Sequence, residues 1–368
     1  MISLKYSILS KLRPIFPRLR SISRFSTISS EFIPERKFNS VKKLAYENPK
    51  RNRVKLSDLN RGTIPSYTFP EFTIKYDAKD VVNYAKSTIQ VGSEEKELTD
   101  VNDSKFGVLP IFMLPVISKM MKDMSLQTCP DCLDFSKIVL AEIYLEVYRP
   151  FSKSGEFRVQ PKLEEFVDRG THDMAYHHYV PTDPASTDFG KDGNSSPLFF
   201  AQICTIELGQ GGKGGSRTSE KGAYAAPSIM TPPEGRPDAI VPFKTVEMPP
   251  NFSFEFTENE LKRDIFEFHN PSQHYGPKPA FSEKPNLHGR YYWASAVHLM
   301  LKQFAAGDLT RFKCSRVRFT SVVHPGDTLE IRAWHREPRI FFEAVNLNTG
   351  KLAMKGGFVD LIPCHPEQ

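Results

Sequence analysis

The chain has 368 residues, of which 39% are hydrophobic and 25% are charged, an ordinary globular composition with room for two domains. It contains no run of eighteen apolar residues, so no membrane span is expected. Six basic residues within the first 30 account for the formal net charge of +6. Because the rest of the chain is neutral in formal charge, a general nucleic-acid-binding role loses its electrostatic support.

The first 30 residues differ from the rest of the chain in composition. They are rich in serine and arginine and contain no Asp or Glu, the first acid being Glu31. This composition is typical of a mitochondrial presequence and predicts delivery to the mitochondrial matrix, with a plain basic tail as the alternative. Residues 31–60 are polar and basic-rich, which predicts a linker or an extended arm.

A first structured half is predicted over residues 61–235. Apolar residues at helical spacing predict a helix within 77–92. Apolar alternation then predicts strands at 140–149 and 197–208. A stretch rich in Gly, Pro and Ser at 209–237 separates this half from the next.

The second half, residues 236–363, shows a clearer pattern. Apolar residues recur at i, i+3, i+4 and i+7 from Trp293, which predicts a helix over 290–306. Strand candidates follow at 311–323, 328–335, 339–347 and 352–362, with turns at Pro325-Gly326-Asp327 and Asn348-Thr349-Gly350-Lys351. One long helix followed by an antiparallel meander is an α+β pattern in which the sheet must wrap the helix. The first half shows the same order more loosely, so two related halves are predicted.

The step Leu287-His288-Gly289 leads directly onto the predicted long helix. The first amides of a helix lack partners, and the helix macrodipole adds to their attraction for negative charge. An enzyme that forms an enolate or an oxyanion could therefore use the Gly289 amide. The alternative is a glycine in a tight turn before an ordinary core helix.

Two short motifs suggest ligand chemistry, but neither is complete. Cys129-Pro-Asp-Cys132 is a lone C-x-x-C without a second pair, so we expect no metal site and interpret both as reduced loop cysteines. The string GQGGKGG lacks the lysine that a Walker loop requires after its second glycine, Gly214. We therefore exclude a nucleotide site and predict a flexible inter-domain or substrate-side loop.

Several blocks in the same order resemble one known family. They are SKFGVLPIFMLP, EIYLEVYRPF and GQGGKGGSRTSEK in the first half, and NLHGRYYWASAVHLMLKQFAAGDLTRFK and VVHPGDTLEIRAW in the second. Together they resemble the MaoC-like (R)-specific enoyl-CoA hydratase of peroxisomal multifunctional enzymes. The resemblance covers residues 75–363 and implies a double hot-dog fold, with two antiparallel sheets that each wrap a long helix.

The resemblance also implies an activity. The family hydrates trans-2-enoyl thioesters to (R)-3-hydroxyacyl thioesters, or runs the reverse dehydration. Its first half holds the acyl chain and its second half supplies the chemistry. No metal or redox cofactor is implied. Coenzyme A or acyl carrier protein would carry the acyl group, and a homodimer or a mitochondrial complex is a possible assembly.

The family's catalytic string, Asp-x-Asn-Pro-x-His, is altered in this chain. Hydration needs one group to activate water and another to transfer the α-proton. Matching backward from Pro277 and Ala280 places His274 at the histidine. Matching forward from Arg263 places Glu267 at the aspartate. The two residues are then seven positions apart rather than the family's five.

A competing alignment holds Asn270-Pro271 fixed. It places Phe268 and Gln273 at the two catalytic positions, and both groups are then lost. Spacing matters here, because seven residues of continuous helix span about 10 Å. That separation is too large for one shared water, unless Pro271 breaks the helix and restores the contact.

Basic residues alternate along the strand predicted after the long helix. They are Arg311, Lys313, Arg316 and Arg318, at positions where the family meets the phosphates of coenzyme A. The alternative is alternating charge on an edge strand. His288 is a further substrate-side candidate, although a structural role is the simpler interpretation.

Two functions from different classes remain open. The first is a hydratase or dehydratase that uses Glu267 and His274 as its acid–base pair and the Gly289 amide as the carbonyl donor. His269 and Asp264 are alternative acid–base groups in the same string. The second is a catalytically silent hot-dog subunit or an acyl-thioester-binding scaffold.

Overall fold

The computed structural model describes residues 71–89, 95–113, 138–183, 197–247, 284 and 286–363, apart from short gaps at 210, 213, 215, 219–226 and 228–230. Four predictions fall outside these residues. They are the presequence at 1–30, the arm at 31–60, the Cys129–Cys132 pair and the catalytic string with Glu267 and His274.

Within the described ranges the chain forms three α-helices and eleven strands. The helices are α1 (Ala78–Ile89), α2 (Lys96–Thr99) and α3 (Gly289–Phe304), and a 3₁₀ turn covers Leu309–Arg311. The strands are β1 (Phe72–Tyr76), β2 (Ile138–Val147), β3 (Gly155–Val159), β4 (Lys162–Asp168), β5 (His172–Tyr179), β6 (Phe199–Leu208), β7 (Ala239–Lys244), β8 (Phe312–Phe319), β9 (Thr328–Arg336), β10 (Arg339–Asn346) and β11 (Lys351–Leu361). The predicted long helix and the four strands after it are confirmed, as are the helix within 77–92 and the strands at 140–149 and 197–208.

Nine of these strands form one antiparallel sheet in the order β4-β5-β6-β2-β8-β11-β10-β9-β7. Strands β1 and β3 pair separately. The two predicted sheets are joined edge to edge, because β2 of the first half pairs with β8 of the second, with Ile143 opposite Val317. The pairing satisfies backbone groups that two separate sheet edges would leave open.

Helix α3 is buried on almost every side, as a helix wrapped by a sheet must be. Trp293 and Met300 are fully buried on the sheet side, and the Trp293 indole donates to the Ser315 hydroxyl of β8 at 3.2 Å. On another side, the Ser295 hydroxyl donates to the backbone carbonyl of Thr88 in α1 at 2.9 Å. The central helix is therefore held by the sheet of its own half and by the helix of the other.

The described part of the Gly-rich stretch is tied down rather than free. The Asp168 carboxylate at the end of β4 accepts backbone N–H groups from Gly170 at 2.7 Å, Gly212 at 2.8 Å and Gly214 at 2.9 Å. A Cβ at Gly211 would lie 2.4 Å from the His172 amide nitrogen, so only glycine fits there. The predicted flexible loop is corrected on this point, because one carboxylate accepts two of the loop's amides together with the Gly170 amide.

Replacement of Asp168 by alanine is expected to lower the free energy of unfolding by about 2–4 kcal/mol, since three amides lose a charged acceptor. Urea unfolding of the full chain measures the change. The matched control is Asp308→Ala, which removes an exposed carboxylate that accepts the Thr310 amide at 2.9 Å; its cost should stay near 1 kcal/mol or below. Equal losses for the two variants would show that Asp168 does not organise the loop.

Candidate active site

The first turn of α3 presents backbone donors without an acidic side chain to occupy them. His288 is the N-cap, with φ −63° and ψ 133°, and its side chain makes no capping bond. The loop before it is fixed, because the Leu287 amide donates to the Val323 carbonyl at 2.8 Å. The first turn contains no Asp or Glu, so the positive end of the helix dipole keeps its attraction for an anion.

Gly289 also has a packing reason to be glycine. A Cβ at this position would lie 2.7 Å from a ring carbon of Phe319. The same ring packs edge-on against Tyr292, with ring centroids 5.6 Å apart and planes at 88°. Gly289 can therefore be both a packing glycine and an anion-binding glycine. The absence of a side chain lets the Phe319 ring pack directly against the backbone that carries the amide.

Substitution of Gly289 by alanine is expected to cost about 1–3 kcal/mol of folding stability, because the new methyl overlaps the Phe319 ring. The double variant Gly289→Ala/Phe319→Leu should lose less than the sum of the two single changes, because leucine vacates the space. Urea unfolding of the wild type, the two single variants and the double variant gives the four free energies of this double-mutant cycle. Strict additivity would contradict the packing account of Gly289.

Described residues on both sides of the segment that carries Glu267 and His274 are fixed beside this turn. Before the segment, the Val246 amide donates to the Tyr291 hydroxyl at 3.1 Å, and the Gly326 amide donates to the Val246 carbonyl at 2.9 Å. After the segment, Leu287 is held on Val323 as described. The described residues that flank 248–283 therefore lie next to the first turn of α3.

Arg290 follows Gly289 directly and has no role among the sequence-based predictions. It is half-buried, and burial lowers its pKa to about 10, an effect that the nearby Tyr84 phenol partly opposes. A cation in the first turn of a helix opposes the macrodipole. That conflict, together with the position next to Gly289, is the signal that could have drawn attention to it.

Two of the predicted basic ligands lie on the wrong side of the sheet for this site. Arg316 and Arg318 both bind the Glu142 carboxylate of β2, with Arg318 Nε donating to Oε1 at 2.8 Å. Their neighbours Val317 and Phe319 belong to the core around α3. Because successive side chains of a strand point to opposite faces, the two arginines point away from Gly289. The structure does not bring them into one site with it.

The other two basic residues have different surroundings. Arg311 donates to the Ile362 carbonyl at 3.2 Å and to Glu337 at 3.3 Å. Lys313 is half-buried on β8. The edge-strand interpretation of this alternating charge is wrong, because β8 lies between β2 and β11. Phosphate binding by Arg311 and Lys313 stays a prediction.

The described residues contain no group of three or more His, Cys, Asp or Glu side chains that could hold a metal ion. No helix among them is both long and apolar enough to cross a membrane.

Family models match both halves of the chain. Residues 74–187 match the MFE-2 hydratase 2 N-terminal domain, and residues 272–356 match the MaoC like domain. The chain is a MaoC-like protein with a double hot-dog fold. A solved MaoC-like dehydratase from Phytophthora capsici supports the fold, with a TM-score of 0.61 at 22% identity over 83% of this chain and 100% of that one.

Two named proteins illustrate the relationship at the sequence level. The peroxisomal multifunctional enzyme type 2 of Mus musculus is 29% identical over 306 residues, which are 81% of this MaoC-like chain and 38% of the mouse protein. The probable enoyl-CoA hydratase 2 of Dictyostelium discoideum is 27% identical over 293 residues, 77% of this chain and 90% of that protein. The chain thus spans well under half of the mouse relative and most of the Dictyostelium one.

The predicted mitochondrial matrix location is wrong on this comparison. The mouse protein and two further relatives are peroxisomal by name, which points to the peroxisome instead. The prediction rested on an acid-free, basic and serine-rich leader. A plain basic tail has the same composition, so composition alone could not decide the compartment.

Proposed function

We propose that this chain catalyses the (R)-specific hydration of trans-2-enoyl thioesters and the reverse dehydration of (R)-3-hydroxyacyl thioesters in fatty-acid metabolism. The observation that carries the proposal is the first turn of α3. It presents the Gly289 amide in a turn without acidic residues, and the described residues that flank 248–283 are fixed beside it. Relatives named enoyl-CoA hydratase 2 support the same reaction class.

In the proposed reaction the thioester carbonyl oxygen accepts the Gly289 N–H. Glu267 removes a proton from water as its oxygen bonds to C3 of the enoyl group. The C2=C3 electrons move toward the carbonyl and form an enolate, which the amide and the helix dipole stabilise. His274, as the imidazolium, then delivers a proton to C2. The proton on Glu267 returns to His274 through solvent, so that both groups are restored and the net change is the addition of one water. Dehydration is the same sequence in reverse.

The division of labour between the halves is part of the proposal. Residues 61–235 hold the acyl chain, and residues 236–363 supply the carbonyl pocket and the acid–base pair. The substrate is an acyl-CoA or an acyl-carrier-protein thioester, with His288 beside the thioester and Arg311 and Lys313 toward the carrier. A homodimer is the proposed assembly.

Product stereochemistry tests the proposal. Purified full-length protein is incubated with crotonyl-CoA, and the 3-hydroxybutyryl product is resolved on a chiral column. We expect the (R) product alone, at a rate proportional to protein concentration. An (S) product would contradict the proposed activity. So would a failure to hydrate any of crotonyl-CoA, trans-2-decenoyl-CoA and trans-2-hexadecenoyl-CoA. Binding without turnover would favour the silent scaffold, for which the expanded spacing of the catalytic string argues.

A further inference from the structure

Helix α3 contacts the helices of the first half through a small set of polar side chains. The Ser295 hydroxyl donates to the Thr88 carbonyl of α1 at 2.9 Å, and the Lys302 ammonium binds the carboxylate of Glu95, the N-cap of α2, at 2.5 Å. Positions 295, 298 and 302 share one face of a helix, which places His298 between these two contacts. We call Thr88, Glu95, Ser295, His298 and Lys302 the helix seam.

His298 is buried in the helix seam without a hydrogen bond. It is 7% exposed, and neither of its ring nitrogens has a partner among the described residues. Its Nε2 lies 3.6 Å from Oε1 of Glu95, just beyond hydrogen-bond range, and Lys302 binds that same oxygen. Buried polar atoms in folded proteins normally have partners. The structure therefore places an imidazole next to a carboxylate without joining the two.

The groups that face His298 determine what a proton on it would do. Helix α2 contributes the carboxylates of Glu95 and Glu97, and α3 contributes the Lys302 ammonium. The buried face of α1 carries the Tyr84 phenol, which stays neutral because burial raises its pKa. Burial also lowers the pKa of His298, and this effect outweighs the attraction of Glu95. The neutral imidazole is therefore the form that fits the closed seam.

We infer that protonation of His298 opens the helix seam, which makes the contact between α3 and the helices of the first half sensitive to acid. An imidazolium here must share one carboxylate oxygen with Lys302 and keeps little of its hydration. Both costs are relieved when α2 moves away from α3. The seam residues have no part in the proposed acid–base pair or carbonyl pocket, so this acid sensitivity is independent of the proposed hydration.

The direction of the pH dependence follows from the lowered pKa of His298. The open seam binds the proton more tightly than the closed seam, so the neutral histidine favours the closed form above its ordinary pKa of about 6.5. That preference is lost progressively as the pH falls below this value. One proton can change the equilibrium between the open and closed forms by at most about tenfold per pH unit.

Hydrogen–deuterium exchange of the full-length protein at pH 7.5, 6.5 and 5.5 tests the inference without any substrate. Rates are corrected for the intrinsic effect of pH on amide exchange. In the wild type, the protection of peptides from α1 and α2 should fall severalfold between pH 6.5 and 5.5, whereas peptides from β10 should keep theirs. Unchanged protection of α1 and α2 over this range would overturn the inference.

Three variants identify the group responsible. His298→Gln should make the protection of α1 and α2 independent of pH, because no titrating group remains between the helices. Lys302→Met should make the fall shallower, because the imidazolium then has the Glu95 carboxylate to itself. The control His324→Gln removes a half-buried histidine outside the seam and should behave as the wild type does.

A fall of wild-type size in His298→Gln, or a steeper fall in Lys302→Met, would overturn the role of His298. If His298→Gln does not fold, the wild-type profile and the Lys302→Met profile still decide the question. Failure of the protein to hydrate crotonyl-CoA would contradict the proposed function and would leave the acid sensitivity of the seam standing.

Discussion

Replacement of Glu267 by glutamine, or of His274 by glutamine, is expected to lower kcat for crotonyl-CoA hydration by about 10²–10⁴-fold. Each change removes one of the two proton transfers and keeps the side chain polar and of similar size. KM should change far less, because the Gly289 amide and the acyl-binding half remain. The measurement is the loss of conjugated enoyl-thioester absorbance over a range of substrate concentrations.

The same string offers matched controls for both residues. Asp264→Asn removes a neighbouring carboxylate, and His269→Gln removes a neighbouring imidazole, without touching the assigned pair. Both variants should retain kcat within a few-fold of wild type. A large loss in His269→Gln combined with an active His274→Gln would transfer the histidine role to residue 269. Full activity in both Glu267→Gln and His274→Gln would contradict the assignment of the pair.

Replacement of Glu142 by alanine is expected to cost about 3–5 kcal/mol of folding stability. Glu142 is 3% exposed, Arg316 is 5% exposed, and the carboxylate binds both Arg316 and Arg318 across the junction of β2 and β8. Removing the acid leaves a buried guanidinium without its countercharge, which is far more costly than losing a surface pair. Urea unfolding with a two-state fit gives the change.

The control for Glu142 is an ion pair of similar type on a more exposed strand. Glu330 binds Arg332 at 2.8 Å, and both side chains keep a quarter or more of their surface accessible. Glu330→Ala should therefore cost less than about 1 kcal/mol. If Glu142→Ala also costs less than about 1 kcal/mol, the ion pairs of Glu142 with Arg316 and Arg318 do not stabilise the junction between β2 and β8.

The second half of the fold could be predicted because its local and tertiary signals agree. The helical spacing from Trp293 marks the residues that pack against the sheet, and the turns at Gly326 and Gly350 have the positive φ values, 81° and 67°, that favour glycine. Strands β1, β3, β4, β5 and β7 had no predicted counterpart. Several of them are short or lack clean apolar alternation, and their pairing depends on distant strands.

The site was only partly predictable, for a related reason. The backbone donor at Gly289 is a local property of a loop that enters a helix, and such a property can be recognised from the sequence. The face to which Arg316 and Arg318 point depends on strand register, and their partner Glu142 is more than 170 residues away along the chain. The Gly-rich amides of Gly212 and Gly214 donate to Asp168, which lies 44 and 46 residues away along the chain.

The most direct test of the whole account compares turnover of crotonyl-CoA by the wild-type chain and by the double variant Glu267→Gln/His274→Gln, at one protein concentration and with saturating substrate. The account predicts steady hydration by the wild type and a rate at least about 10²-fold lower for the double variant. Equal rates for the two proteins, or a wild-type chain that leaves the enoyl thioester unchanged, would contradict it.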